Sequence, residues 1–183
     1  TADIPGIIAL GAACLFLKEM GIANVRAHDM RLSTLLMRDL ATIPTCVMYG
    51  PLRPEERGGI LAFNLLGIAH GLVASVLNDR FAIAVRNDCF CAQPYVRSML
   101  DAACNQRGFC APITEGKRGM VRASFSPFTT EADIARLGAA VHWIEANATA
   151  LEALYDNRDG VFTHRTFRPA PLFNLDRAFY QAL

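Results

Sequence analysis

Apolar positions recur at helical spacing through much of this chain, and proline and glycine punctuate them. Pro5 opens an apolar segment that reaches Met20 and stops at Gly21, the arrangement of a helix with proline in its first turn and glycine just past its end. A second helix is predicted from about Asn24 to Ile43, with Leu32, Leu36 and Leu40 as its buried stripe, Arg31, Arg38 and Asp39 on its wet side, and Pro44 as its stop. Cys46 to Tyr49 predicts a short strand, Gly50 to Arg57 a polar turn, and Gly59 to Leu65 a second strand. Ile68 to Asp79 predicts a third helix facing inward through Leu72, Val73, Val76 and Leu77. The apolar, partly β-branched run from Ala82 to Arg86 predicts a buried strand, and a helix follows from about Pro94 to Ala103. Asn105 to Lys117, with Gly108, Pro112 and Gly116, predicts a long surface loop, expected to be mobile. Met120 to Phe125 is the last predicted strand. Thr130 caps a final helix with Asp133 as its capping-box partner, and Ile134, Leu137, Val141 and Ile144 form its buried face.

Helices around three or four short strands, without strict βαβ alternation, predict a two-layer α/β sandwich with a small, largely antiparallel or mixed sheet. After Ala148 the last helix is expected to persist to Tyr155. The tail beyond it carries Phe162, Phe167, Phe173, Phe179 and Tyr180. Disordered tails are poor in aromatics, so residues 148–183 are expected to form an extension docked on the domain of residues 1–147 or on a partner.

Composition narrows the class. The 183 residues are 52% hydrophobic and 19% charged, with a formal net charge of +1. No basic run marks a nucleic-acid or anionic-membrane surface, and neither kind of partner is expected. No apolar run reaches the length of a membrane span, and the pattern reads as a cytoplasmic protein. The opening Thr1 is expected to mark a fragment or a processed product. Cysteines at 14, 46, 89, 91, 104 and 110 are spread through a domain with a substantial core, unlike a small stapled secreted scaffold. A metal site could be drawn from Cys89, Cys91, Cys104 and Cys110, but the paired Cys-x-x-Cys knuckles of structural zinc sites are absent, and no metal ligand is assigned.

Candidate chemistry converges on the stretch after Ala82. Ala82–Val85 leads to Arg86, a polar turn, Cys89 and Cys91, and Pro94 stands where a helix starts. A thiol becomes a nucleophile as its thiolate, which a nearby guanidinium such as Arg86 favours. Arg122 lies inside an apolar strand, where an unpaired guanidinium is costly, so it is expected to meet an anion. Two further stretches accompany this loop: Gly58-Gly59-Ile60-Leu61-Ala62-Phe63-Asn64-Leu65 followed by Ile68-Ala69-His70, and Gly119-Met120-Val121-Arg122-Ala123-Ser124-Phe125 followed by Thr129-Thr130-Glu131. In that order around Arg86-x-x-x-x-Cys91-Ala92-x-Pro94, the chain resembles the C-terminal domain of class V aminotransferases, within them the cysteine desulfurase and selenocysteine lyase branch. The resemblance runs from about Thr1 to Asn147, with an insertion near residues 101–118.

The resemblance implies a fold in which helices cover a small antiparallel sheet, an amino-acid substrate, and pyridoxal 5'-phosphate as cofactor. It implies that Cys91 accepts sulfur as a persulfide, that Arg122 holds the substrate carboxylate with Arg86 as a second anionic partner, and that Thr1 reaches the cofactor phosphate. It further implies a homodimer. The family's cofactor-binding lysine, usually in a Ser-x-His-Lys pattern, has no counterpart at Lys18 or Lys117. The chain is therefore expected to need a missing N-terminal cofactor-binding domain and to be inactive alone. The family's desulfurases usually carry Gly-His-His before the cysteine, where Asp88-Cys89-Phe90 stands here, with Cys89 as a weaker nucleophile or resolving thiol. His70 and His28 are expected to be structural. The alternative is a non-enzymatic thiol or sulfur carrier, or a metal-binding interaction module, using Cys89 and Cys91.

Overall fold

Stripe, stop and cap residues fold into the elements that their spacing predicts, with two main exceptions; the helix expected to end near Ala103 also runs on to Arg107, into the start of the expected loop. The computed structural model describes residues 2–107 and 118–168. In chain order these form α1 (Ile4–Met20), α2 (Ile22–Leu40), β1 (Cys46–Tyr49), a single 3-10 turn at Pro54–Glu56, β2 (Ile60–Leu65), α3 (His70–Phe81), β3 (Arg86–Asp88), α4 (Gln93–Arg107), β4 (Met120–Ser124), α5 (Glu131–Ala146), α6 (Ala148–Glu152), β5 (Tyr155–Arg158) and β6 (Val161–His164). Thr1, most of the loop expected after residue 105, and everything beyond residue 168 lie outside the described residues.

The main sheet has the order β1-β2-β4-β3 and is antiparallel throughout. This is the small antiparallel sheet of the expected α/β sandwich. On one face Leu61, Phe63, Leu65, Val121 and Ala123 pack against Leu32, Leu36 and Leu40 of α2, Leu72, Val73, Val76 and Leu77 of α3, and Ile134, Leu137, Val141 and Ile144 of α5. Full burial of each such side chain contributes about 1.5–3 kcal/mol, so this face holds most of the fold's hydrophobic stabilisation. On the other face a smaller cluster joins Val47, Tyr49 and Met120 to Val96 and Leu100 of α4. That second face is only partly roofed, and the remainder is where the candidate chemistry sits.

The first exception is the strand expected over Ala82–Arg86, which forms instead at Arg86–Asp88. Ala82 adopts φ +54 and closes α3: its N–H bonds the Asn78 carbonyl at 3.1 Å, and the Ile83 N–H bonds the Leu77 carbonyl at 2.9 Å. This left-handed helix stop consumes the start of the apolar run. Ile83 and Val85 still pack on the core, but the ladder begins only where Arg86 comes opposite Arg122. The result is a short edge strand with an exposed Arg86, not a buried one.

The second exception follows Ala146. The helix does not persist to Tyr155: α6 ends at Glu152, and β5 and β6 form an antiparallel hairpin. Asp159 at φ +53 and Gly160 at φ +84 make its two-residue turn, the pair of left-handed residues that favours hairpin closure. The hairpin lies on α3, where the Ser75 hydroxyl donates to the Phe162 carbonyl at 2.9 Å and the Tyr155 hydroxyl to Asp79 Oδ2 at 3.2 Å.

α1 buries none of its residues. Ile7, Ile8 and Leu10 are 63%, 67% and 66% exposed, and Phe16 stacks on the exposed Phe128, with ring centroids 6.0 Å apart. A helix apolar on all sides is ordinarily buried. Among the described residues no single helix is long and apolar enough to cross a membrane; α1 and α2 reach that test only as a pair bent by 77°.

Candidate active site

One row of residues crosses the half-open face of the sheet. Tyr49 pairs with Ala62, Ala62 with Arg122, and Arg122 with Arg86. Residues directly opposite in an antiparallel ladder share a face, so the two arginines are neighbours on adjacent strands. Neither guanidinium is paired with a carboxylate among the described residues. Arg122 is set over the Phe90 ring, Cζ to centroid 5.1 Å. Its Nε is buried and has no hydrogen-bond partner among the described residues. A buried charged donor left unmatched is costly, and a carboxylate is the group that satisfies such a fork by parallel bonds.

The turn after β3 holds the thiols. Asp88, Phe90 and Cys91 all have positive φ, at 84°, 56° and 61°, and the Ala92 N–H donates to the Cys89 carbonyl at 2.8 Å. Three left-handed residues within four positions, none of them glycine, make this the most strained backbone described, and such strain collects at functional sites. Cys91 is exposed and Cys89 half-buried, both as free thiols. Arg86 Nη2 lies 3.8 Å from Cys91 Sγ. The structure thus brings Arg86, Arg122 and the Cys91 turn to one face.

Beside the turn a cleft of about 350 Å³ is lined by Tyr49, Arg57, Phe90, Tyr95, Met99 and Arg122, among others. Arg57 is the member that sequence reasoning missed. It is 9% exposed and donates to the carbonyls of Tyr49 and Pro51, each at 2.6 Å, and Ile60 at 3.2 Å, while burial pushes its pKa down. It ties the β1–β2 connection together at the cleft wall. Nothing in the spacing distinguishes it from Arg53 four residues earlier.

The histidines lie elsewhere. His70 is buried at the start of α3, and His28 Nε2 shares a 2.9 Å hydrogen bond with the Thr129 carbonyl, joining α2 to the segment before α5. No group of three His, Cys, Asp or Glu side chains able to hold a metal comes together among the described residues. Thr1, Cys110 and the Cys104 side chain lie outside them.

Residues 1–137 match the family model described as aminotransferase class-V. The chain belongs to that family. It is 32% identical over 137 residues to a cysteine desulfurase of Cronobacter sakazakii, covering 75% of this chain and 29% of that protein, and 31% identical over 141 residues to one of Dickeya dadantii, covering 77% and 29%. The cysteine desulfurase CsdA (S-sulfonic acid) of Escherichia coli superposes with a TM-score of 0.59 at 27% identity, over 78% of this chain and 31% of that one. The apo cysteine desulfurase of Thermococcus onnurineus NA1 superposes with a TM-score of 0.65 at 22% identity, a likeness of fold. This class V aminotransferase chain is therefore cysteine desulfurase-like. It spans less than a third of the length of the curated relatives it matches.

Proposed function

We propose that this chain supplies the substrate-facing part of a pyridoxal phosphate-dependent, cysteine desulfurase-like enzyme. The observation that carries the reading is the register of Arg86 against Arg122, with Cys91 Sγ 3.8 Å from the Arg86 guanidinium on the same face. Arg122, with its buried unmatched Nε, binds the α-carboxylate of an amino acid and fixes its orientation. Arg86 offers a second positive charge, shared between that carboxylate and the thiolate of Cys91. Cys91, exposed on its left-handed turn, takes the terminal sulfur or selenium of the substrate as a persulfide or its selenium counterpart.

The described residues do not fit the cofactor's anchor. Lys18 lies in the last turn of α1 and does not line the cleft, and Lys117 is outside the described residues. Pyridoxal phosphate, when bound, supplies the electron sink that loosens the bond between substrate carbon and sulfur. Its attachment falls to a further domain, and the working enzyme is a cytoplasmic homodimer of such complete chains. The 183-residue chain by itself is inactive.

The test uses the complete enzyme with cysteine, selenocysteine and cysteine sulfinate. Arg122→Ala is expected to raise KM about 10- to 100-fold, with Arg122→Lys failing to restore it because an ammonium lacks the planar fork. Cys91→Ser is expected to abolish sulfur release from cysteine while substrate still binds. Unchanged KM in Arg122→Ala overturns the carboxylate assignment, and full sulfur release in Cys91→Ser overturns the acceptor assignment. Turnover by the 183-residue chain alone with added cofactor overturns the division of labour between domains.

A further inference from the structure

We propose that Cys89 is a second thiol of the Cys91 site, and that it displaces a sulfur atom carried on Cys91 as hydrosulfide, closing a Cys89–Cys91 disulfide. The inference rests on the reading of Cys91 as a sulfur acceptor.

The turn supplies the geometry. The Ala92 N–H to Cys89 carbonyl bond of 2.8 Å closes a four-residue turn whose two central residues, Phe90 and Cys91, have φ of 56° and 61°. Two left-handed central residues are the signature of a type I′ turn, and at such a bend two Cα–Cα steps of about 3.8 Å leave the first and third Cα atoms roughly 5–6 Å apart. A disulfide spans Cα separations of about 4.4–6.8 Å. Phe90, between the cysteines, has its ring under the Arg122 guanidinium, so the middle of the turn is anchored in the cleft and the flanking residues are held with it. Both thiols are free, and Cys91 faces solvent. Arg86 Nη2, 3.8 Å from Cys91 Sγ, sets a positive charge beside the bond that breaks, where the departing hydrosulfide carries negative charge.

The step balances without an outside oxidant. The Cys89 thiolate attacks Sγ of the Cys91 persulfide. The Sγ–Sγ bond forms, the bond from Cys91 Sγ to the outer sulfur breaks, and its electron pair leaves with the outer sulfur as hydrosulfide. The outer sulfur is reduced and Cys89 is oxidised. Attack from a thiol two positions away proceeds at an effective concentration that a separate thiol at micromolar levels does not approach. An external thiol reductant then returns both cysteines to thiols. The sulfur therefore leaves as free sulfide, and the reaction that consumes it must be one that takes inorganic sulfide rather than a persulfide passed between proteins.

The 183-residue chain tests this directly. It is loaded anaerobically with inorganic polysulfide and desalted, then trapped by alkylation. Released sulfide is measured, and the peptide holding Cys89 and Cys91 is read by mass spectrometry. The wild-type chain is expected to give the Cys89–Cys91 disulfide and sulfide in equal amounts. Cys89→Ser is expected to keep the persulfide on Cys91 and to release sulfide at least about tenfold more slowly. A wild-type persulfide as long-lived as that of Cys89→Ser overturns the proposal and leaves the acceptor role standing. Absence of a Cys91 persulfide even in Cys89→Ser overturns both. Independently of any variant, full oxidation of the unloaded wild-type chain with oxidised glutathione is expected to close the same disulfide, and its absence from that peptide also overturns the proposal.

Discussion

A Cβ placed on Gly119 would stand 2.7 Å from the Asp88 Cα and 2.7 Å from His70 Nε2. Gly119 is thus where the end of β3, the start of α3 and the approach to β4 meet, and its carbonyl accepts from Asn64 Nδ2 at 2.9 Å. Gly119→Ala is expected to destabilise the fold by about 1–3 kcal/mol, the cost of overpacking against backbone, read from the urea midpoint. An unchanged midpoint would show that Asp88 and His70 yield freely. The contact lies beside the Cys91 turn, so the same substitution is expected to change the alkylation rate of Cys91. At this scale the sequence singles out Arg86, Cys91 and Arg122, and the structure brings the three to one face. Arg57 was not legible, because three carbonyl partners from separate turns and strands make its site, and no local spacing announces them. Asp88 shows a different limit: it holds a left-handed backbone, φ 84°, that its residue type does not announce.

Element boundaries followed local punctuation where the punctuation stood alone. The capping box at α5 formed as expected, with Asp133 N–H donating to Thr130 Oγ1 at 3.2 Å and Thr130 N–H to Asp133 Oδ2 at 2.9 Å. The Thr130 N–H bond foremost, and the Thr130 hydroxyl donating to the same Oδ2 at 2.7 Å, hold the exposed Asp133 carboxyl below its usual range. Because its folded value is depressed, its contribution is present above the unfolded carboxylate value of about 3.9 and fades as pH falls through the folded one. Urea melts of Asp133→Asn are accordingly expected to differ from wild type at pH 7 and to converge with it in strong acid. The β3 boundary was misread because the β-branched run met a helix stop first, and tertiary pairing with β4 chose the later residues. The β5–β6 hairpin was missed although Asp159-Gly160 is a strong turn signal, since its short flanks look polar until they lie on α3. That docking is open to test. Burial, with help from Asp79, pushes the Tyr155 phenol up to about 12 from 10.0. A raised folded value means stability fully present below pH 10 and lost as pH rises toward 12. Tyr155→Phe is expected to remove that alkaline loss, and a hairpin whose amide protection falls equally in both proteins above pH 10 would sink the assignment.

For the molecule as a whole, the sheet row from Tyr49 to Arg86 is what brings scattered arginines together on one face, and no linear pattern contains it. The same view exposes an imbalance. The main helical layer is packed, whereas α1 leaves Ile4, Ile7, Ile8, Leu10, Leu15, Phe16 and Leu17 in water. At about 1.5–3 kcal/mol forgone per large apolar side chain, that is on the order of 10 kcal/mol, comparable to the net stability of an entire domain. Amides of α1 are therefore expected to exchange with deuterium within seconds, while those of α2 and α3 stay protected to the limit of global unfolding. Equal protection of α1 and α2 in dilute solution would contradict this. A different audience reads the same helix inside a cell. Chaperones and quality-control proteases recognise apolar segments that water can reach, and they triage by how often such segments are open. Wherever the chain exists with nothing over α1, the helix is permanently open, so lifetime there is governed by cover for α1 rather than by how well the sheet is packed.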